Sequence, residues 1–94
     1  MLPFRAKSIG GWAFEGCNRL TSVTIPEGVT EIGQYAFNGC GELTSVTMRG
    51  ERPEAPNNIF NSCGKLKSIH VPANAKSWAG MKDWLGIPLV LDAN

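Results

Sequence analysis

The residues of this 94-residue chain with the widest chemical reach are three cysteines and a single histidine. Thiols can ligate a soft metal, act as nucleophiles or pair as a disulfide. Cys17, Cys40 and Cys63, however, stand 23 residues apart at each step, whereas a zinc site draws on ligand pairs roughly two to four residues apart. A disulfide between neighbours is conceivable, but its geometry is strict and one cysteine would be left over. Three free thiols are therefore expected, each a small buried apolar filler. His70 lies within Ser68-Ile69-His70-Val71, where alternation points it outward. A Cys–His nucleophile pair needs both groups exposed and within hydrogen-bond reach. Cys63 belongs to the buried column, so no dyad is expected. The sequence has no phosphate-cradling glycine loop, no GxSxG and no HExxH, and no acidic pair in a recognisable context. The expectation is a non-enzymatic protein with no cofactor and no metal.

The spacing that disqualifies the cysteines as a site explains the rest of the chain. Ile32 to Met48 reads IGQYAFNGCGELTSVTM, Ile9 to Ile25 reads IGGWAFEGCNRLTSVTI, and Ile59 to Val71 reads IFNSCGKLKSIHV. Phe14, Phe37 and Phe60 share the cysteines' step, as do Leu20, Leu43 and Leu66. So do Val23, Val46 and Ile69, and then Ile25, Met48 and Val71. A fixed period of this length marks a solenoid, in which each coil buries its apolar side only by stacking on its neighbours.

The word from Ala13 to Phe37, AFxGCxxLTSVTIPxxVxxIGxYAF, resembles the BspA-like leucine-rich repeats of bacterial and protist surface proteins. Ala-Phe, Gly-Cys and Ile-Pro at set positions make the likeness more specific than a lone LxxLxL. The resemblance implies a curved solenoid used for binding and adhesion, without catalysis, at the cell surface or secreted.

Within a coil, Leu20–Ile25 alternates Val23 and Ile25 with Ser22 and Thr24, the period of a short strand with one buried face. Its copies at Leu43–Met48 and Leu66–Val71 should lie parallel beside it. The return leg Glu27–Cys40 carries Val29, Ile32, Ala36 and Phe37 at steps of three and four, which predicts a turn or two of α- or 3₁₀-helix. Gly33 and Gly39 fall at bends, and Ala36 is small enough to face a neighbouring coil. The third return leg, Arg49–Asn58, departs from the repeat with two prolines and reads as an extended loop. The expected fold is thus an α/β solenoid: a parallel sheet on one face, short helical return legs, and a C-terminal cap.

Residues 1–72 hold about three coils, the first of them partial, with Leu2-Pro3 matching Ile25-Pro26. Residues 73–94 form the cap. There, Asn74 or Ser77 should start a helix reaching about Leu85, stopped by Gly86 and followed by a strand at Ile87–Leu91. Trp78 and Trp84 could serve as a sugar platform; an apolar face that closes the solenoid explains Trp78, Met81 and Leu85 more simply. The first coil lacks a polar capping segment. That leaves two readings open, a piece of a longer array or an end that pairs with another copy.

Nine Lys and Arg against eight Asp and Glu argue against partners held by charge, such as nucleic acid. No apolar run approaches the roughly 20 residues of a membrane span, and Met1-Leu2-Pro3-Phe4-Arg5 lacks the order of a signal peptide. The expected partner is another protein. The candidate ligand face is the outward side of the strands, Ser22, Thr24, Ser45, Thr47, Ser68 and His70, with Lys67 beside it.

Overall fold

The computed structural model describes residues 5–92, which wind as a β-solenoid of about four turns. In chain order the strands are β1 (Ser8–Ile9), β2 (Ser22–Ile25), β3 (Glu31–Ile32), β4 (Ser45–Met48), β5 (Ser68–Pro72), β6 (Asp83–Trp84) and β7 (Ile87–Asp92). β2, β4, β5 and β7 lie side by side and parallel, with β6 antiparallel on the outer edge. β1 and β3 form a separate parallel ladder, Ser8 beside Glu31 and Ile9 beside Ile32. The match of Leu2-Pro3 to Ile25-Pro26 falls outside the described residues.

The columns read from the repeat form the core. Val46, Ile69 and Val71 are fully buried, and Val23, Ile25 and Met48 nearly so. Phe14, Phe37 and Phe60 stack ring on ring, with centroids 5.2 and 5.6 Å apart. Ala36 is wholly enclosed, as its small size requires. No polar side chain is buried among the described residues.

The return legs are not helical, and the reason lies in the amides. Cys17 N–H donates to Phe14 C=O and Cys40 N–H to Phe37 C=O, closing tight turns within a coil. The intervening amides reach the next coil: Phe14 N–H to Ala36 C=O and Gly16 N–H to Asn38 C=O, both at 2.7 Å, then Phe37 N–H to Ile59 C=O at 2.9 Å. A helix needs successive amides for its own i to i−4 bonds. Here alternate ones are committed between coils, so the steps of three and four mark consecutive turns.

Two glycines act for different reasons. Gly39 sits at φ 75°, in a left-handed column with Gly16, Ser62 and Leu85, each one repeat apart. Gly33 is instead a close approach between coils. A Cβ there would lie 2.4 Å from the Gly11 nitrogen, so no side chain fits without moving backbone.

The Arg49–Asn58 segment is extended, as expected, yet it is tied down. Glu54 bridges to Glu31 and so continues the β1–β3 ladder; Ile32 N–H donates to Glu54 C=O at 2.8 Å. Gly50 lies against Glu27, where a Cβ would come within 2.6 Å of the carbonyl oxygen.

The cap helix is also absent. Only Lys76–Trp78 turns, as a single 3₁₀ turn whose N-cap residue Ala75 makes no side-chain cap. Ser77, the expected cap, is used across coils: its hydroxyl accepts Arg52 N–H at 2.7 Å and its own N–H donates to Glu51 at 3.0 Å. Gly80, at φ 78°, then turns the chain away. The strand expected at Ile87–Leu91 is present as β7, hooked back onto β6.

Candidate functional site

Strand register builds the candidate face. Ser22, Ser45 and Ser68 stand side by side as one row, and Thr24, Thr47 and His70 as the next. Each is exposed or half-buried, while the residues between them point into the core. The two rows predicted from alternation are therefore brought together. Lys67 is exposed but precedes β5, so it borders the rows rather than joining them.

The face extends further than the 23-residue step can indicate. β7 pairs with β5 in a shorter register, Ile69 beside Leu89 and His70 beside Val90, a separation of 20 residues. Val90, 41% exposed, thereby joins the row of Thr24, Thr47 and His70. Asp92, on the same strand, places Oδ1 2.9 Å from His70 Nδ1, and Ser68 Oγ lies 3.5 Å from His70 Nε2. The contact ties the last strand to the third and fixes the imidazole. Nothing in the sequence signals this, because Leu89-Val90-Leu91 is apolar throughout and the shortened last turn breaks the repeat.

Ser68, His70 and Asp92 follow the order of an acyl-transfer relay, but the serine contact is long and the face is an open strand surface. A catalytic role also needs hydrogen-bond donors aimed at a developing oxyanion. None of the described contacts supplies them.

The cysteines are free. Cys40 alone is fully buried; Cys17 and Cys63 are half-buried, against the expectation of three buried thiols. The Cys40 and Cys63 sulfurs each lie within hydrogen-bond reach of a carbonyl in the preceding coil, Phe14 at 3.2 Å and Phe37 at 3.1 Å. Burial pushes the Cys40 thiol up to about 11, with the neighbouring Cys63 adding to the effect, and burial raises Cys63 as well. Neither is poised as a nucleophile. Among the described residues no group of three or more His, Cys, Asp or Glu could hold a metal ion.

A glycan platform on the cap tryptophans is not available. Trp78 is 1% exposed, with its Nε1 donating to Gly50 C=O at 2.9 Å, and Trp84 is buried edge-on to Phe60 and to Trp78. The exposed indole is Trp12, stacked on Tyr35 at 4.5 Å. A shallow cleft of about 680 Å³ lies between Arg52–Pro56 and Trp84.

With the stacked coils, the Phe and Cys columns and the in-register strand rows established, the family follows. A family profile described as a BspA type leucine-rich repeat region (6 copies) matches residues 1–80. The chain belongs to the BspA-type leucine-rich repeat family. This family provides repeat-based protein-interaction modules, is generally non-enzymatic, and is typical of bacterial surface or secreted proteins. No curated protein and no solved structure matches the chain. Among the described residues no helix is long and apolar enough to cross a membrane.

Proposed function

We propose that this BspA-type repeat chain is a binding module of a bacterial surface or secreted protein. It would recognise another protein through the outer face of the β2–β4–β5–β7 sheet. The observation that carries this reading is the uninterrupted pair of rows, Ser22–Ser45–Ser68 and Thr24–Thr47–His70, laid flat and nearly uncharged across parallel strands. Short hydroxyls make weak anchors alone. Affinity is therefore assigned to the C-terminal end of the face, where His70, held by Asp92, adjoins exposed Val90, with Lys67 at the border.

The test is surface plasmon resonance of the chain against a panel of purified extracellular proteins, repeated with Thr24→Arg, Thr47→Arg and His70→Glu combined. Binding by the parent and loss by the triple variant, with an unchanged circular dichroism spectrum, is the expected result. Equal binding by both would remove the sheet face from consideration.

A further inference from the structure

One dipeptide of the second coil has chemistry that its counterparts lack. Asn38-Gly39 is the single Asn-Gly in the sequence, where the first coil has Glu15-Gly16 and the third Asn61-Ser62. In an unrestrained chain this pair cyclises: the Gly39 nitrogen attacks Cγ of Asn38, the Cγ–Nδ2 bond breaks, and ammonia leaves with the proton that the nitrogen gave up. Glycine favours the step because no Cβ crowds the attacking amide. Water then opens the succinimide. Attack at Cγ gives aspartate; attack at the main-chain carbonyl gives isoaspartate, in which the chain runs through Cβ and Cγ and is longer by one atom.

In the fold the groups that must move are held. Gly39 N–H donates to Asn61 C=O at 2.9 Å, in the coil after, and the carbonyl of the same peptide unit accepts Gly16 N–H at 2.7 Å, in the coil before. The side chain is fixed as well, Asn38 Oδ1 accepting Asn61 Nδ2 at 2.8 Å. Burial is not the protection, since Asn38 and Gly39 are only half-buried and Asn61 is exposed. The restraint is stacking. Asn61 supplies two of the three bonds, and both are lost when the third coil lifts from the second.

We propose that Asn38-Gly39 is a latent deamidation site that the stacked coils keep closed, so that a chain whose second and third coils have parted is marked at residue 38. The mark is also a lock. Isoaspartate formation takes the old Asn38 carbonyl out of the main chain, where Gly16 N–H requires it, and displaces Gly39 from the left-handed position it shares with Gly16. Each coil contacts its neighbours layer by layer, so an extra main-chain atom cannot be absorbed without moving the coil. Aspartate at the same place keeps an oxygen for Asn61 Nδ2. Only one of the two products should therefore block restacking.

The experiment is peptide mapping by mass spectrometry of the 94-residue chain held at mildly alkaline pH, with and without urea. The folded chain should deamidate at Asn38 at least about tenfold more slowly than the unfolded one. Equal rates overturn the protection, and no reaction at Asn38 in urea overturns the site itself. Asn61→Ala removes the Nδ2 donor and leaves the backbone carbonyl. With an unchanged circular dichroism spectrum it should react at Asn38 about fivefold faster than the parent, and an unchanged rate removes Asn61 from the restraint. Should that variant not fold, a series of low urea concentrations on the parent decides the point. The rate at Asn38 should climb together with hydrogen exchange of the Gly39 amide, and a rate that stays flat while the amide exchanges overturns the proposal. Finally, chromatographically separated isoaspartate-38 chain should fail to regain the parent spectrum on dilution from urea, whereas Asn38→Asp should regain it. Recovery by both would show that there is no lock.

Discussion

The first and second coils carry the same word and reach different degrees of burial. Ala13-Phe14, Gly16-Cys17 and Leu20-Thr21-Ser22-Val23-Thr24 recur as Ala36-Phe37, Gly39-Cys40 and Leu43-Thr44-Ser45-Val46-Thr47. Yet Phe37, Cys40 and Leu43 have no exposure, and Phe14, Cys17 and Leu20 remain partly open. The strands, the turns and the left-handed glycine are shared. The difference is the coil on the far side: the second coil is covered on both faces. Burial in this fold therefore depends on a coil's place in the stack, and identical residues should contribute unequally to stability.

The largest expected effect comes from the aromatic column. Phe37→Ala should destabilise the chain by about 3–5 kcal/mol in denaturant unfolding, because the ring is enclosed by Phe14 and Phe60. Phe14→Ala, half-open on one face, should cost roughly half as much. Equal losses would mean that the stack adds nothing to the difference between the coils.

Next is the close approach that sets the distance between those coils. Gly33→Ala forces a Cβ to within 2.4 Å of the Gly11 nitrogen and should cost about 3 kcal/mol, since the obstacle is backbone. Gly10→Ala, the equivalent residue one coil earlier, meets nothing within 4 Å and should change the melting temperature little. If Gly33→Ala is equally silent, the coils are less tightly apposed than described.

The third contrast is between thiols. Cys40 titrates near 11 when folded, against an ordinary 9.0. The stability this represents is fully present below pH 9.0 and is lost as pH rises toward 11, because the unfolded chain releases its proton first. The loss should be on the order of 2 kcal/mol and clearly smaller in Cys40→Ala, where only the raised Cys63 thiol still contributes. Iodoacetamide at pH 8 should label half-exposed Cys17 well before Cys40. Labelling of all three at one rate would erase the distinction.

Much of this was legible in the residues. Val23 and Ile25 alternate with Ser22 and Thr24 over enough positions to reveal strand, face and, through the repeat, register. The ladder of β1 and β3 was not legible, because two residues, Glu31 and Ile32, are too few to show a period. The return legs were misread because Val29, Ile32, Ala36 and Phe37 give the spacing of a helix. No side chain records that the Phe37 amide is bonded to Ile59. Ser77 likewise reads as a cap until the Arg52 amide claims it. The two outward rows were legible, but what borders them at the C-terminal end was not: the pairing of His70 with Asp92 depends on a last turn shorter than the others.

The bonds between coils, such as Phe14 N–H to Ala36 C=O and Gly16 N–H to Asn38 C=O, join one layer to the next. Tension applied to the two ends would therefore load them a layer at a time. Such a stack should open by unzipping in steps, each freeing one 23-residue coil, or roughly 80 Å of contour, at modest force. A domain built this way yields gradually under pull.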